Sequence, residues 1–224
     1  AVPNCHWTDG SLLDLVRIGK ACRDHGAALV IDGTQSLGAM PFSIKAVKPD
    51  FVITTAHKWL LGPYSLGFCY VARQWQNGTP LEENWLNREG SEDFSRLVDY
   101  RDEYQPGSRR FDVGGASNFV LAPIAEVALK QLLDWDIQKI SETIQLKIDL
   151  IAEKAQSLGF RVPSKSMRAP HLIGITLPGG VPEKLIKKLS SEQIFVSIRG
   201  HSIRIAPHLH NTDKDLDRLF SALG

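Results

Sequence analysis

Three short apolar runs, and the unequal lengths of chain between them, constrain this fold more than any other feature of the sequence. "AALVIDG" (27–33) and "PDFVITTAHK" (49–58) are rich in strand-forming residues, with Asp32-Gly33 closing the first and Pro49-Asp50 opening the second. A helical pattern precedes them. In "SLLDLVRIGKACRDHG" (11–26), Leu12, Leu15, Val16, Ile18, Gly19 and Cys22 fall near one face, and Gly26 ends the segment. Strand, connection, strand is the rhythm of an α/β layer with a parallel sheet. The third run, "SLGFCYVA" (65–72), follows Lys58 after only a handful of turn residues, too few for the crossover that a parallel neighbour requires. It is therefore predicted antiparallel to "FVITT", with Cys69 a small buried apolar residue inside it.

Residues 74–116 hold Asn77-Gly78, Pro80, Gly90, Pro106-Gly107 and Gly114-Gly115 with little periodicity, which predicts loops. Helical spacing returns at Asn118 in "NFVLAPIAEVALKQLLDW" and continues in "IQKISETIQLKIDLIAEKAQSLG", which stops at Gly159. Beyond it, "HLIGITLP", "IFVSIRG" and "SIRIAP" read as strands, and "VPEKLIKKLSSE" and "DKDLDRLFSALG" as helices. The chain accordingly divides near residue 136 into an α/β part, 1–136, with a mostly parallel sheet, and a small α+β part, 137–224.

Open parallel sheets gather ligands outside the carboxyl ends of their strands. Asp32 ends one run and Lys58 the next, so both side chains can face one crevice. An amine attacks a carbonyl only when partly deprotonated, a state that cationic or desolvating neighbours favour. A carboxylate opposite such a lysine has a use if the carbonyl belongs to pyridoxal phosphate, whose ring nitrogen the acid keeps protonated. The 26 Lys+Arg nearly cancel the 25 Asp+Glu, which gives no field to draw a nucleic acid. Cys5, Cys22 and Cys69 are odd in number and widely spaced, which fits a reduced, cytoplasmic setting better than disulfides. No run approaches the roughly 20 apolar residues of a membrane span. His208 and His210 lie two apart without acidic or cysteine partners, so no metal site is expected there.

The segment "VIDGTQSLGAMPFSIKAVKPDFVITTAHKWLLGP" resembles the cofactor-binding segment of the class V aminotransferase family, pyridoxal-phosphate enzymes of fold type I that include cysteine desulfurases, kynureninase and isopenicillin N epimerase. The resemblance implies a large domain with a mostly parallel sheet and a small C-terminal α+β domain. It makes Lys58 the Schiff-base lysine, Asp32 the partner of the pyridinium nitrogen and Gln35 the donor to the ring hydroxyl. Thr55 and His57 would hold the cofactor phosphate. Ser65 stands where a glycine is common. "SIRIAPHLHNTDKDLDRLFSAL" is similar to the family's C-terminal ending, and Arg204 falls on the arginine that takes the substrate carboxylate, a task suited to a guanidinium fork. "RRFDVGGASN" (109–118) resembles a motif whose threonine reaches the partner subunit's cofactor phosphate; here Gly115 replaces it, so that contact is lost, made by backbone N–H or shifted to Ser117.

By the same resemblance the substrate is an amino acid, the complete protein is a homodimer, and a stretch of roughly one domain's length stands in front of the match. Asn4 aligns loosely with a family asparagine near the ring hydroxyl, but it reads, with His6 and Trp7, as structural. Residues 159–203 contain no cysteine, which disfavours a desulfurase. Aminotransferase, epimerase and lyase reactions stay open. The alternative is a fragmentary chain with an incomplete cofactor site, inactive alone or serving as an interaction module.

Overall fold

Four short strands lie side by side in chain order and carry the first half of the molecule. A computed structural model describes residues 1–116 and 118–224. Strand β1 (Val2–Pro3) runs parallel to β2 (Val30–Asp32), with Pro3 opposite Asp32, and β2 runs parallel to β3 (Phe51–Thr55), with Asp32 opposite Ile53. The edge strand β4 (Gly67–Val71) is antiparallel to β3, with Thr55 opposite Gly67, as the short connection required. Helices α1 (Leu15–Asp24) and α2 (Ile44–Val47) make the two crossovers and cover one face, where Leu15, Leu29, Ile31, Val47 and Val52 form a buried cluster.

Helix α1 starts later than its apolar periodicity suggests. Leu12 N–H donates to Met167 O and Leu13 N–H to Asn4 O, so residues 11–13 are drawn into bridges with distant backbone before the Asp14 carboxylate caps the helix at Arg17 N–H. Cys69 departs from expectation: β4 lies at the sheet edge, and its first four residues, Cys69 among them, are exposed. Residues 74–116 form no strand or α-helix, only short 3₁₀ turns. Buried polar side chains hold this excursion together. Asn87 Nδ2 donates to Glu82 O and Arg110 O, and Gln105 Nε2 donates to Ser91 Oγ.

The second half is built on a long helix. Helix α3 (Leu121–Trp135) breaks at Asp136, whose φ is 67°, and α4 (Ile137–Ser157) follows at once, capped by the Asp136 carboxylate on Gln138 N–H. Ile140, Ile144, Ile148, Ile151 and Ala155 make one buried stripe along α4. It packs on the sheet of β5 (Ile173–Thr176), β6 (Ser197–Arg199) and β7 (Ser202–Ile205), which is antiparallel in the order β5-β7-β6. Helices α5 (Glu183–Ser191) and α6 (Asp213–Leu223) complete this core, and a capping box between Thr212 and Asp215 starts α6. Leu132 of α3 belongs to the same core, as do Trp59 and Leu60 at its margin. Among the described residues no helix is long and apolar enough to cross a membrane.

Trp59 and Leu60 come directly after Lys58, so packing in the second core fixes the chain at the end of β3. Gly38 permits the close approach this needs. Its φ is 97°, and a Cβ there would stand 2.2 Å from Trp59 O. Left-handed strain and a backbone clash together predict that Gly38→Ala destabilises the fold by roughly 2–4 kcal/mol. Urea unfolding measures it; a loss under about 0.5 kcal/mol would show that this contact is not fixed.

Candidate active site

Parallel pairing brings the carboxyl ends of β1, β2 and β3 to one edge. Asn4 follows β1, Asp32 ends β2, Thr55 ends β3, and Lys58 stands three residues beyond it. Asn4 N–H donates to Asp32 O and Gly33 N–H to Ile53 O, which ties the three strand ends together. Asn4, read from the sequence as structural, is buried there, its N–H bonded to Asp32 O. The Asp32 side chain is solvent-facing, and its Oδ1 accepts from Thr34 N–H at 2.9 Å. Its second oxygen has no hydrogen-bond partner among the described residues.

Gln35 is held at both ends. Its Oε1 accepts from Trp59 Nε1–H at 3.3 Å, which leaves the amide NH₂ as a donor, and its backbone carbonyl accepts from His171. Thr55 Oγ1 is buried and has no partner, a state that costs on the order of 1–3 kcal/mol unless an acceptor arrives. The His57 ring stacks on Tyr64 with centroids 4.2 Å apart. Lys58 is exposed and makes no ion pair among the described residues. The turn behind it needs left-handed backbone at Leu61 (φ 55°) and Ser65 (φ 63°), which explains why a glycine suits position 65.

Arg204 projects from β7 in the other half, yet its Nη1–H donates to Trp7 O at 2.8 Å, in the loop that leaves β1. The structure therefore brings Arg204 to the side of the molecule where β1 and β2 end. Partial burial and then the neighbouring Arg199 hold its guanidinium below the ordinary arginine range. Gly115 is exposed with φ 74°; Ser117 lies outside the described residues.

His171 is the site residue that the sequence did not reveal. It is fully buried, and since a carbonyl only accepts, its Nε2 carries the proton given to Gln35 O at 2.5 Å. Nδ1 is therefore bare and has no partner. The ring meets Trp59 edge-on at 4.5 Å, while His208 stacks on Trp59 at 5.8 Å. Burial pushes the His171 pKa down to about 4, opposed by the bond to Gln35. A histidine beside an apolar run reads as core, and its partner is far away in sequence, so no local signal marks it.

Taken together, a free carboxylate oxygen, an amide donor, a buried hydroxyl without partner, an imidazole and an unpaired amine suit a ligand that carries an anionic head, a polar ring and an aldehyde. Comparison with known proteins identifies the family. Residues 4–219 match the family model described as "Aminotransferase class-V". The "uncharacterized aminotransferase YcbU" of Bacillus subtilis is 25% identical over 228 residues, covering 96% of this chain and 56% of that protein. Isopenicillin N epimerase of Streptomyces clavuligerus is 23% identical, covering 96% and 57%. Among solved structures, a mutant of C-DES with glycine covalently linked to its PLP cofactor superposes with a TM-score of 0.82 at 20% identity, over 99% of this chain and 59% of that one. The chain thus spans a little over half the length of the relatives it matches.

The buried imidazole makes stability depend on pH. Between pH 6.5 and about 4 the unfolded chain binds a proton at His171 that the folded chain refuses, so stability is complete above about 6.5 and falls as the pH drops toward about 4. At about 1.4 kcal/mol per tenfold change, the loss amounts to roughly 3 kcal/mol. His208, also depressed by burial, adds to the same trend. Unfolding free energies at pH 7 and pH 5 should differ less in His171→Gln than in the parent protein; an unchanged difference would show that His171 titrates as an exposed imidazole.

Proposed function

We propose that this chain, which belongs to the class V aminotransferase family, carries the Lys58 part of a pyridoxal-phosphate site that acts on an amino acid. The observation that carries the reading is the convergence of Asp32, Thr55 and Lys58 at adjacent parallel strand ends, with Thr55 Oγ1 buried and lacking an acceptor. When bound, pyridoxal phosphate supplies an aldehyde for an amino group and a protonated ring that draws electrons from the substrate α-carbon.

The chain's own residues divide the work. Lys58 holds the aldehyde end and is the group able to move a proton at the substrate α-carbon. The solvent-facing Asp32 oxygen keeps the ring nitrogen protonated, and the Gln35 NH₂, fixed through Trp59, donates to the ring hydroxyl. Thr55 and His57 take the phosphate. Arg204 forks onto the substrate carboxylate, a bidentate contact that lysine does not reproduce.

Aminotransferase, epimerase and lyase reactions share these parts. A desulfurase needs a ready thiolate, and this favours the other reactions. Residues 159–203 lack cysteine, burial and Asp9 push the Cys5 thiol up to about 12, and Cys69 is raised by partial burial and Asp112. For the complete protein we propose a homodimer. Apolar side chains on α3, Ile124 and Val127 among them, stand exposed and available for cover by further polypeptide.

Incubation with stoichiometric pyridoxal phosphate, borohydride reduction and peptide mapping should find a pyridoxyl adduct on Lys58, absent in Lys58→Ala. Adducts spread evenly over surface lysines would overturn the assignment and favour the incomplete-site reading. Thr55→Val should weaken cofactor binding roughly tenfold, the worth of one charge-assisted hydrogen bond.

A further inference from the structure

We infer that Arg199 and Arg204 together form a two-guanidinium subsite that selects substrates with a second anionic group, a dicarboxylic amino acid or its keto acid. The inference rests on the reading of Arg204 as the residue that takes the substrate carboxylate, and adds the substrate class.

Strand register provides the geometry. Ser197 lies opposite Arg204 and Arg199 opposite Ser202, so the two arginines share one face of the small sheet as diagonal neighbours on β6 and β7. Such positions stand about 7–8 Å apart, within reach of long side chains. The opposite face carries Ile203 and Ile205 into the α4 core, which fixes both strands from behind.

The loop leaving β1 crosses the arginine face. Gly174 of β5 lies opposite Arg204, and its N–H donates to Asp9 O at 2.8 Å; a Cβ there would come within 2.6 Å of Asp9 Cα. The missing side chain lets the loop lie flat on the sheet. Trp7 of that loop accepts the Arg204 hydrogen bond, and its ring centroid is 5.9 Å from Arg199 Cζ. Both guanidinium groups are thereby gathered around the loop that begins beside Asp32.

Among the described residues no acid neutralises them. Neither arginine forms an ion pair among the described residues, and the nearby Asp9 is engaged with Ser11 N–H at 3.0 Å and His6 at 3.5 Å. The two like charges share one face as diagonal neighbours, and Arg199 is one of the groups that lower the Arg204 pKa. An anion between them relieves that repulsion. Each guanidinium has five N–H donors, and the intramolecular bonds are one from Arg204 to Trp7 O and one from Arg199 to Ile198 O. Enough donors stay free to fork onto two separate carboxylates, one on Arg204 and the other on Arg199.

The test needs no cofactor. Calorimetric titration of the 224-residue chain at low salt compares succinate with propionate. Succinate should bind at least tenfold more tightly. Arg199→Gln should bring the two affinities to within about twofold by weakening succinate alone, and Arg204→Gln should weaken both. Equal affinities in the parent chain, no succinate binding, or a preference that survives Arg199→Gln would each overturn the inference; the parent-chain comparison stands even if a variant fails to fold. Neither arginine is needed for the Lys58 adduct. An adduct without dicarboxylate preference therefore defeats only this inference, and a preference without an adduct defeats only the cofactor assignment.

Discussion

The Trp59 indole is the contact on which the arrangement of this molecule depends. It follows Lys58 directly, packs at the margin of the C-terminal core, donates to Gln35 from the β2 turn, and is flanked by His171 and His208. One side chain thereby fixes three things: the exit of β3, the amide of Gln35 and the approach of the second half of the chain. A lysine on a free loop sweeps many positions, whereas one whose neighbour is locked into a core keeps its amine within reach of one place. Orientation is a large share of what a catalytic amine needs.

His171 strengthens that lock by a route available only to a neutral imidazole. Its single ring proton goes to Gln35 O, which ties the β2 turn to the segment leading into β5. A protonated ring would place an uncompensated charge against Trp59 in a fully buried setting. At Trp59 the junction between the halves is therefore a neutral, hydrogen-bonded one. Elsewhere the halves also meet through backbone, as at Ala169 N–H to Gly10 O and Gly174 N–H to Asp9 O, and through the Arg204 side chain on Trp7 O.

Much of this was legible in the sequence because it depends on local pattern. The strands at 30–32 and 51–55, the antiparallel return at 67–71 and the stripe of α4 follow from apolar spacing and connection length. Asp32, Gln35, Thr55, His57 and Lys58 could be named because strand ends and motif wording coincide there. What stayed hidden depends on distant partners. The late start of α1 is set by bonds to Asn4 and Met167, and the position of Cys69 by its strand standing at an edge. His171 and the diagonal relation of Arg199 to Arg204 exist only once two elements pair, and no periodicity within either element encodes that.

Where the chain leaves polar groups unsatisfied is as informative as where it satisfies them. Of six buried side-chain polar atoms without partners among the described residues, Thr55 Oγ1, His171 Nδ1 and His208 Nε2 lie around the Lys58 turn and Trp59, while Asn84 Nδ2, Asn87 Oδ1 and Arg168 Nε lie elsewhere. Each such group costs on the order of 1–3 kcal/mol, a large fraction of the stability of an ordinary domain. Folding alone would favour apolar replacements, valine at 55 above all, since valine keeps the shape and removes the debt. Under the cofactor reading proposed above, a phosphate oxygen is the acceptor that would reach the Thr55 hydroxyl, and His57 two residues on suits the same group. On that reading, the unsatisfied donor at Thr55 is the imprint of an anion, whose binding to the folded chain and not the unfolded one would stabilise it.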